Sequence, residues 1–92
     1  MGPLRITELD IDDGNLPHLC RHGVSPEEIY QCFGQRKKVR AKKKRTDRYY
    51  LYGRTDGGRY LFVVLVDLGG GLVRPISARE MTPAERRYYG KK

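Results

Sequence analysis

The sequence predicts an α+β fold, an antiparallel sheet with helices packed on one side, in the order β-α-α-β-β-β-β-α. Three observations carry this. Two segments, Ser25–Glu28 and Thr82–Glu85, have the Ser/Thr-Pro-x-Glu form of a capped helix start. Between them lie runs of strand length, RYYLYGRT, YLFVVLVDL and LVRPISARE. The glycine-rich stretches TDGGRY and GGG separate those runs at hairpin spacing. The 92 residues are expected to form one domain, 1–92. A chain this short buries only about 60% of its unfolded surface, so its apolar residues must concentrate in few elements.

The first element is PLRITELDI (Pro3–Ile11), an imperfectly alternating strand. A short helix follows within Asp13–Gly23, where Leu16, Leu19 and Cys20 share a face and Gly23 stops the turn. The next helix begins at Ser25 with Pro26 at its first position and Glu28 closing the capping box, while Val24 staples onto Ile29. Ile29, Cys32 and Phe33 form its buried stripe, and Gly34 ends it. Arg36–Lys42 is expected to be an edge strand whose even positions are all basic and whose Val39 and Ala41 face the core. In Arg48–Thr55 the residues Tyr50, Tyr52 and Arg54 point one way, Tyr49 and Leu51 the other. YLFVVLVDL is nearly continuous apolar sequence and reads as the central strand, covered on both faces. The last strand contains Pro75, which donates no ladder hydrogen bond and demands an edge or a bulge. The last helix is capped by Thr82, Pro83 and Glu85 and stopped by Gly90.

Charge is strongly polarised. Residues 1–35 hold two basic and six acidic groups, net −4, and residues 36–92 hold seventeen basic and five acidic groups, net +12, giving the overall +8. A basic half of this kind suits a polyanion, above all a nucleic acid; its ordinary counterpart is a basic surface that keeps the chain soluble. No window reaches the ~18 apolar residues of a membrane span. No apolar leader follows the N-terminus, so a cytoplasmic protein is expected. Cys20 and Cys32 read as buried, reduced thiols, in keeping with that compartment.

Four constellations bear on chemistry. Eight of the ten residues Arg36–Arg45 are basic, and tyrosines follow at once. Arg36, Lys38, Arg40, Lys42, Lys44 and Arg48 offer charge to phosphates, and Tyr50, Tyr52 and neighbouring rings offer flat surfaces to unstacked bases, although some of these rings must pack across the sheet. Arg54, Arg59, Arg74 and Arg79 form a second set, able to stabilise the negative charge of a phosphorane-like transition state. Arg74 and Arg79 are five residues apart, so a regular strand turns them to opposite faces. Either only one belongs to a site, or a bulge near Pro75 or Ser77 realigns them. Third, Glu85, Arg86, Tyr88 and Tyr89 share one turn of helix. A tyrosine beside arginines can have a lowered phenol pKa and transfer protons, though many such tyrosines simply pack. Fourth, His18 and His22 stand at i, i+4, a spacing that can hold zinc, but no further ligand in that helix completes a set, so no metal or other cofactor is expected.

Three quoted segments, taken in order, are similar to the BrnT-type toxins of the RelE superfamily of bacterial ribonucleases. They are RHGVSPEEI (Arg21–Ile29), YYLYGRTDGGRYLFVVLV (Tyr49–Val66) and VRPISAREMTPAERRYY (Val73–Tyr89). The resemblance implies a RelE-like α+β fold and a metal-independent RNA endonuclease that blocks translation. It also implies neutralisation by a cognate antitoxin, ribbon-helix-helix and DNA-binding, covering the active face. Carried over by position, the catalytic candidates are Arg54, Arg74, Arg79, Tyr88 or Tyr89, and His22. Arg59 joins the basic segment as an RNA contact. Two features depart from the family pattern: the strongly basic Arg36–Arg45 connection, and Pro75 in place of an aliphatic residue. The rival readings are a non-catalytic nucleic-acid-binding module using Arg36–Arg48, and an interaction domain whose basic strand meets an acidic protein.

Overall fold

The computed structural model describes residues 6–33, 39–44 and 47–90. In chain order the elements are β1 (Glu8–Leu9), α1 (Leu16–Cys20), α2 (Pro26–Gln31), β2 (Arg40–Lys43), β3 (Arg48–Arg54), β4 (Tyr60–Gly69), β5 (Leu72–Glu80) and α3 (Pro83–Gly90). The strands form one five-stranded sheet in the order β1-β5-β4-β3-β2. β2 to β5 run as the expected antiparallel meander. β1 departs from it: it is only two residues long and pairs parallel to β5, Glu8 with Leu72 and Leu9 with Val73. Of the expected strand Pro3–Ile11, residues 3–5 lie outside the described residues; beyond Leu9 the chain leaves the ladder and turns at Asp12 into α1, where the Asp12 carboxylate accepts from the N–H of Gly14 at 2.8 Å.

The helices do not share one side of the sheet, as the sequence suggested. One core joins Leu19 of α1 and Ile29 of α2 to Leu51, Leu61, Val63, Leu65, Val73 and Ala78. A second core, on the opposite face, joins Tyr89 to Tyr52, Phe62 and Met81, with Tyr50, Tyr60, Val64 and Tyr88 packed around it. The reason lies in β4. Leu61, Val63 and Leu65 point one way and Phe62 and Val64 the other, so both faces need a cover. α1 and α2 supply one. The short link through buried Met81 swings α3 over the other.

Both capping boxes form. Ser25 Oγ accepts from the N–H of Glu28 at 3.2 Å, and Glu28 accepts from the N–H of Ser25 at 3.1 Å. The same exchange links Thr82 and Glu85 at 3.2 and 2.8 Å. Gly23, after α1, has φ of +73° and makes the tight entry to α2. Gly34, the expected stop of α2, lies outside the described residues. Three burial expectations change. Leu16 is only half-buried and Cys20 is exposed, because a helix of five residues presents a single side chain, Leu19, to the sheet. Ala41 is exposed, since edge strand β2 runs beyond the cover of α1 and α2. Cys32 is buried as expected and sits against Gly53 of β3. A Cβ at Gly53 would lie 2.8 Å from Cys32 Cβ. Gly53→Ala is therefore expected to lower stability by about 1–3 kcal/mol through overpacking; a lower urea midpoint at unchanged slope is the check.

β5 carries the feature Pro75 foretold. Phe62 pairs with Arg79 and Val64 with Ser77, but Leu65 pairs with Pro75 and Val66 with Arg74, so Ile76 is the extra residue of a β-bulge. β1 covers only Leu72 and Val73, leaving Pro75 on an open edge. The Pro75 carbonyl is taken instead by Asn15, a buried residue whose Nδ2 donates to it at 2.9 Å and to the Asp10 carbonyl at 2.9 Å. Asn15 Oδ1 accepts from the Asp12 N–H at 2.8 Å. One side chain thus fastens the start of α1 to the bulge.

Candidate active site

The face under α3 collects most of the candidate residues, and the sheet register explains why. Tyr50, Tyr52 and Arg54 on β3 pair with Val64, Phe62 and Tyr60 on β4, and Arg40 and Lys42 on β2 pair with Tyr52 and Tyr50. Paired residues share a face, so basic groups, rings and arginines line up in rows. Tyr50 and Tyr52 meet the Phe62 ring at 5.1 and 5.3 Å between centroids. Tyr88 of α3 meets Tyr52 at 4.8 Å, and Tyr89 meets Tyr60 at 5.9 Å. Lys42 Nζ and the Arg40 guanidinium stand 4.9 and 5.2 Å from the Tyr88 ring centre, and Lys44 stands 5.1 Å from that of Tyr50. Arg48, at the start of β3, lies on the same side by alternation. Arg36 and Lys38 lie outside the described residues.

Arg79 is at the centre of this face. Its guanidinium carbon is 4.4 Å from the Phe62 ring centre. It holds Glu85 by two parallel hydrogen bonds of 2.7 and 2.9 Å and donates to the Glu80 carbonyl at 3.1 Å. Glu85 thus serves both the helix cap and Arg79. The bond from Arg79, reinforced by the Thr82 N–H, holds its carboxyl below the usual value of 4.5 and outweighs burial. Its contribution to stability is then fully present above the ordinary glutamate value and is lost as pH falls through the lowered one. Glu85→Gln is expected to unfold more easily than wild type at pH 7, with the two melting curves converging in acid.

Tyr52 goes the other way. Burial first, then the nearby Glu85 carboxylate, raise its phenol above 10.0, so it stays protonated at neutral pH. The Arg79 guanidinium pulls the other way, but burial and the Glu85 carboxylate outweigh it.

The remaining arginines separate into two kinds. Arg74 is realigned by the bulge onto the same face as Arg79, yet the two do not converge. Their partners on β4, Val66 and Phe62, are four residues apart, about 13 Å of strand. Arg74 is bound instead to Asp10 at 3.0 Å and to Asp12 at 3.0 and 3.1 Å. Arg59 is equally committed: it bonds Glu28 at 2.7 and 2.8 Å, Glu80 at 3.1 and 3.3 Å and the Gly23 carbonyl at 3.0 Å. It clamps α2 to the β3–β4 hairpin and to β5 rather than lining the ring face. His22 is exposed in the turn after α1, beside that clamp. The packing does not bring His22 to Arg79 or to the tyrosines.

Arg54 and Arg86 are different. Both guanidiniums lie over Tyr60, at 4.9 and 4.2 Å. With Arg87, Tyr89 and Gly90 they line a cleft of about 500 Å³. Sequence reasoning grouped Arg86 with the tyrosines of its turn but gave it no role, and it passed over Arg87. It also read Phe62 as plain core, though its parity with Tyr52 across the hairpin was available as a signal.

Among the described residues no three His, Cys, Asp or Glu side chains gather to hold a metal ion, and no helix is long and apolar enough to cross a membrane.

No curated protein sequence matches the chain. The fold is similar to that of the Brucella abortus ribonuclease toxin BrnT, a crystal structure at 1.1 Å resolution. The match has a TM-score of 0.61 at 16% identity and covers 87% of this chain and 99% of that one. Residues 12–85 match the family described as the ribonuclease toxin BrnT of type II toxin–antitoxin systems. That span runs from the turn into α1 through the Arg79–Glu85 pair, and the chain therefore belongs to the BrnT family of type II ribonuclease toxins.

Proposed function

We propose that the chain cleaves RNA without a metal ion, by attack of a ribose 2′-OH on the adjacent phosphate, and that it blocks translation in the cytoplasm by doing so. Family membership supplies RNA as the substrate and an antitoxin as the partner. The observation that carries the chemistry is the Arg79 guanidinium, fixed on Phe62 on the sheet face that also carries the tyrosines and the basic side chains Arg40 and Lys42 of β2. Arg79 holds the non-bridging oxygens as negative charge builds on phosphorus. The new bond joins the 2′ oxygen to phosphorus and the bond to the 5′ oxygen breaks, leaving a cyclic phosphate and a 5′-OH. The 2′ proton leaves to a base and the departing 5′ oxygen receives one. Tyr88 is the phenol best placed for this exchange: it is half-buried, it touches Tyr52, and the cations of Arg40 and Lys42 lie over it. Lys42, Lys44 and Arg48 guide the strand in. The partner is a ribbon-helix-helix, DNA-binding antitoxin that covers this face.

The test is cleavage of RNA by the purified protein in EDTA, together with growth arrest on expression. An intact substrate and unaffected growth would sink the proposal.

One observation favours a second reading, binding without cleavage. Glu85 already takes two of the Arg79 donors, so a phosphate must compete with a carboxylate for the guanidinium. Under that reading the RNA is held, with steep dependence on salt, and stays whole.

A further inference from the structure

The arginines of the described residues differ in how their charge is met. Arg59, Arg74 and Arg79 each carry carboxylate partners at 2.7–3.1 Å. Arg54, Arg86 and Arg87 have no carboxylate within ion-pair distance among the described residues, and these three line one cleft. They come from separate elements, Arg54 from the end of β3 and the other two from α3. Tyr60 draws two of them together, with both guanidiniums within 5 Å of its ring centre. Like charges gathered without acids repel one another in the free protein. Three arginines that gather in one cleft around a shared ring, with no acid among the described residues at ion-pair distance, suit an anion.

We propose that the Arg54–Arg86–Arg87 cleft is a second phosphate subsite, which grips a backbone phosphate of the RNA away from the bond being cut. The proposal rests on RNA as the substrate. Its geometry fits a single strand laid along β4. Tyr60, under the cleft, and Phe62, under Arg79, are two residues apart on that strand, about 7 Å. Successive phosphates of a single strand are joined through six covalent bonds, so this span is on the scale of one nucleotide step. The cleft supplies charge and hydrogen-bond donors but no free ring face for a base, since the Tyr60 ring is already engaged by Arg54, Arg86 and Tyr89. It therefore holds position without reading sequence.

The test measures binding of an uncleavable 2′-O-methyl oligoribonucleotide across a salt series. For single strands, the slope of log affinity against log salt falls by about 0.7 for each phosphate that the protein no longer neutralises. Arg86→Ala and Arg87→Ala are each expected to weaken binding several-fold, and Arg54→Ala with Arg86→Ala to flatten the slope by about 0.7–1.4. Arg86→Lys keeps most of the slope because the charge remains. On a cleavable strand the larger share of the effect falls in KM. Arg87 is not one of the cations over Tyr60, so its replacement keeps the test open if the Tyr60 cluster needs its cations to fold; thermal unfolding identifies that case. A slope unchanged in Arg54→Ala, Arg86→Ala and Arg87→Ala overturns the subsite. So does an unchanged slope with a fall in antitoxin affinity, which would assign the cleft to the protein partner. Failure of wild type to cut any RNA would defeat the cleavage proposal alone, because the uncleavable strand still reports on the cleft.

Discussion

Arg79→Ala is expected to lower the rate constant for RNA cleavage by about 10²–10³, the loss typical of removing one donor to a developing anion. Single-turnover measurements with saturating enzyme are the appropriate check, since they separate chemistry from binding. The fold should survive, because Arg79 is partly exposed and the Thr82–Glu85 cap stands without it. Glu85→Gln makes the informative contrast. It removes the negative charge that competes with phosphate for Arg79 while leaving the guanidinium on Phe62. Tighter RNA binding in Glu85→Gln, beside lost cleavage in Arg79→Ala, would show that the Arg79–Glu85 pair is the resting arrangement. Equal cleavage by wild type and Arg79→Ala would remove Arg79 from the mechanism.

Asn15→Asp is expected to be the most damaging small change, costing about 3 kcal/mol or more. The two side chains have nearly the same shape, so packing is unaffected. What changes is polarity. Nδ2, which donates to the carbonyls of Asp10 and Pro75, becomes an oxygen facing two oxygens in a buried place. A buried charge without a partner costs several kcal/mol. For a chain of this size that corresponds to a fall in melting temperature of about 10–20 °C. The deficit should shrink as pH is lowered, because burial favours the protonated acid, which regains one donor. A melting temperature within a few degrees of wild type at pH 7 would show that the Pro75 carbonyl does not depend on Asn15.

How much of this was legible in the sequence depends on how local the cause is. Both helix caps, the β3 and β5 boundaries and the glycine turns follow from residues three or four apart, and Ser25, Thr82, Glu28 and Glu85 behave as their spacing says. A bulge near Pro75 was foreseeable because proline lacks the donor. Its result was not, since realigning Arg74 with Arg79 depends on which residue is left over, and that was Ile76. That β4 needs cover on both faces was legible in its continuous apolar run, but not that α3 crosses to the face of Phe62 while α1 and α2 take the other. The arginines were hardest. Nothing in the spacing of Arg59 or Arg74 announces Glu28, Asp10 or Asp12 as partners, which lie 31, 64 and 62 residues away. Nor does it announce that Arg86 would share a ring with Arg54.

The pairing of β1 with β5 has a consequence for the order of assembly. The β2–β5 meander closes through neighbours in sequence, by hairpins. β1 instead joins a strand more than sixty residues later, and its neighbours Asp10 and Asp12 find Arg74 across the same span. Pairings of such long separation form slowly, because a large loop must close before they contribute. On a chain emerging from a ribosome, Asp10 and Asp12 cannot meet Arg74 until residue 74 has appeared. α3, which carries Tyr88 and two of the three arginines of the anion cleft, emerges later still. β1 is fastened only once the ring face is nearly complete, so a partly made chain lacks both the Asp10–Arg74 tie and the finished face.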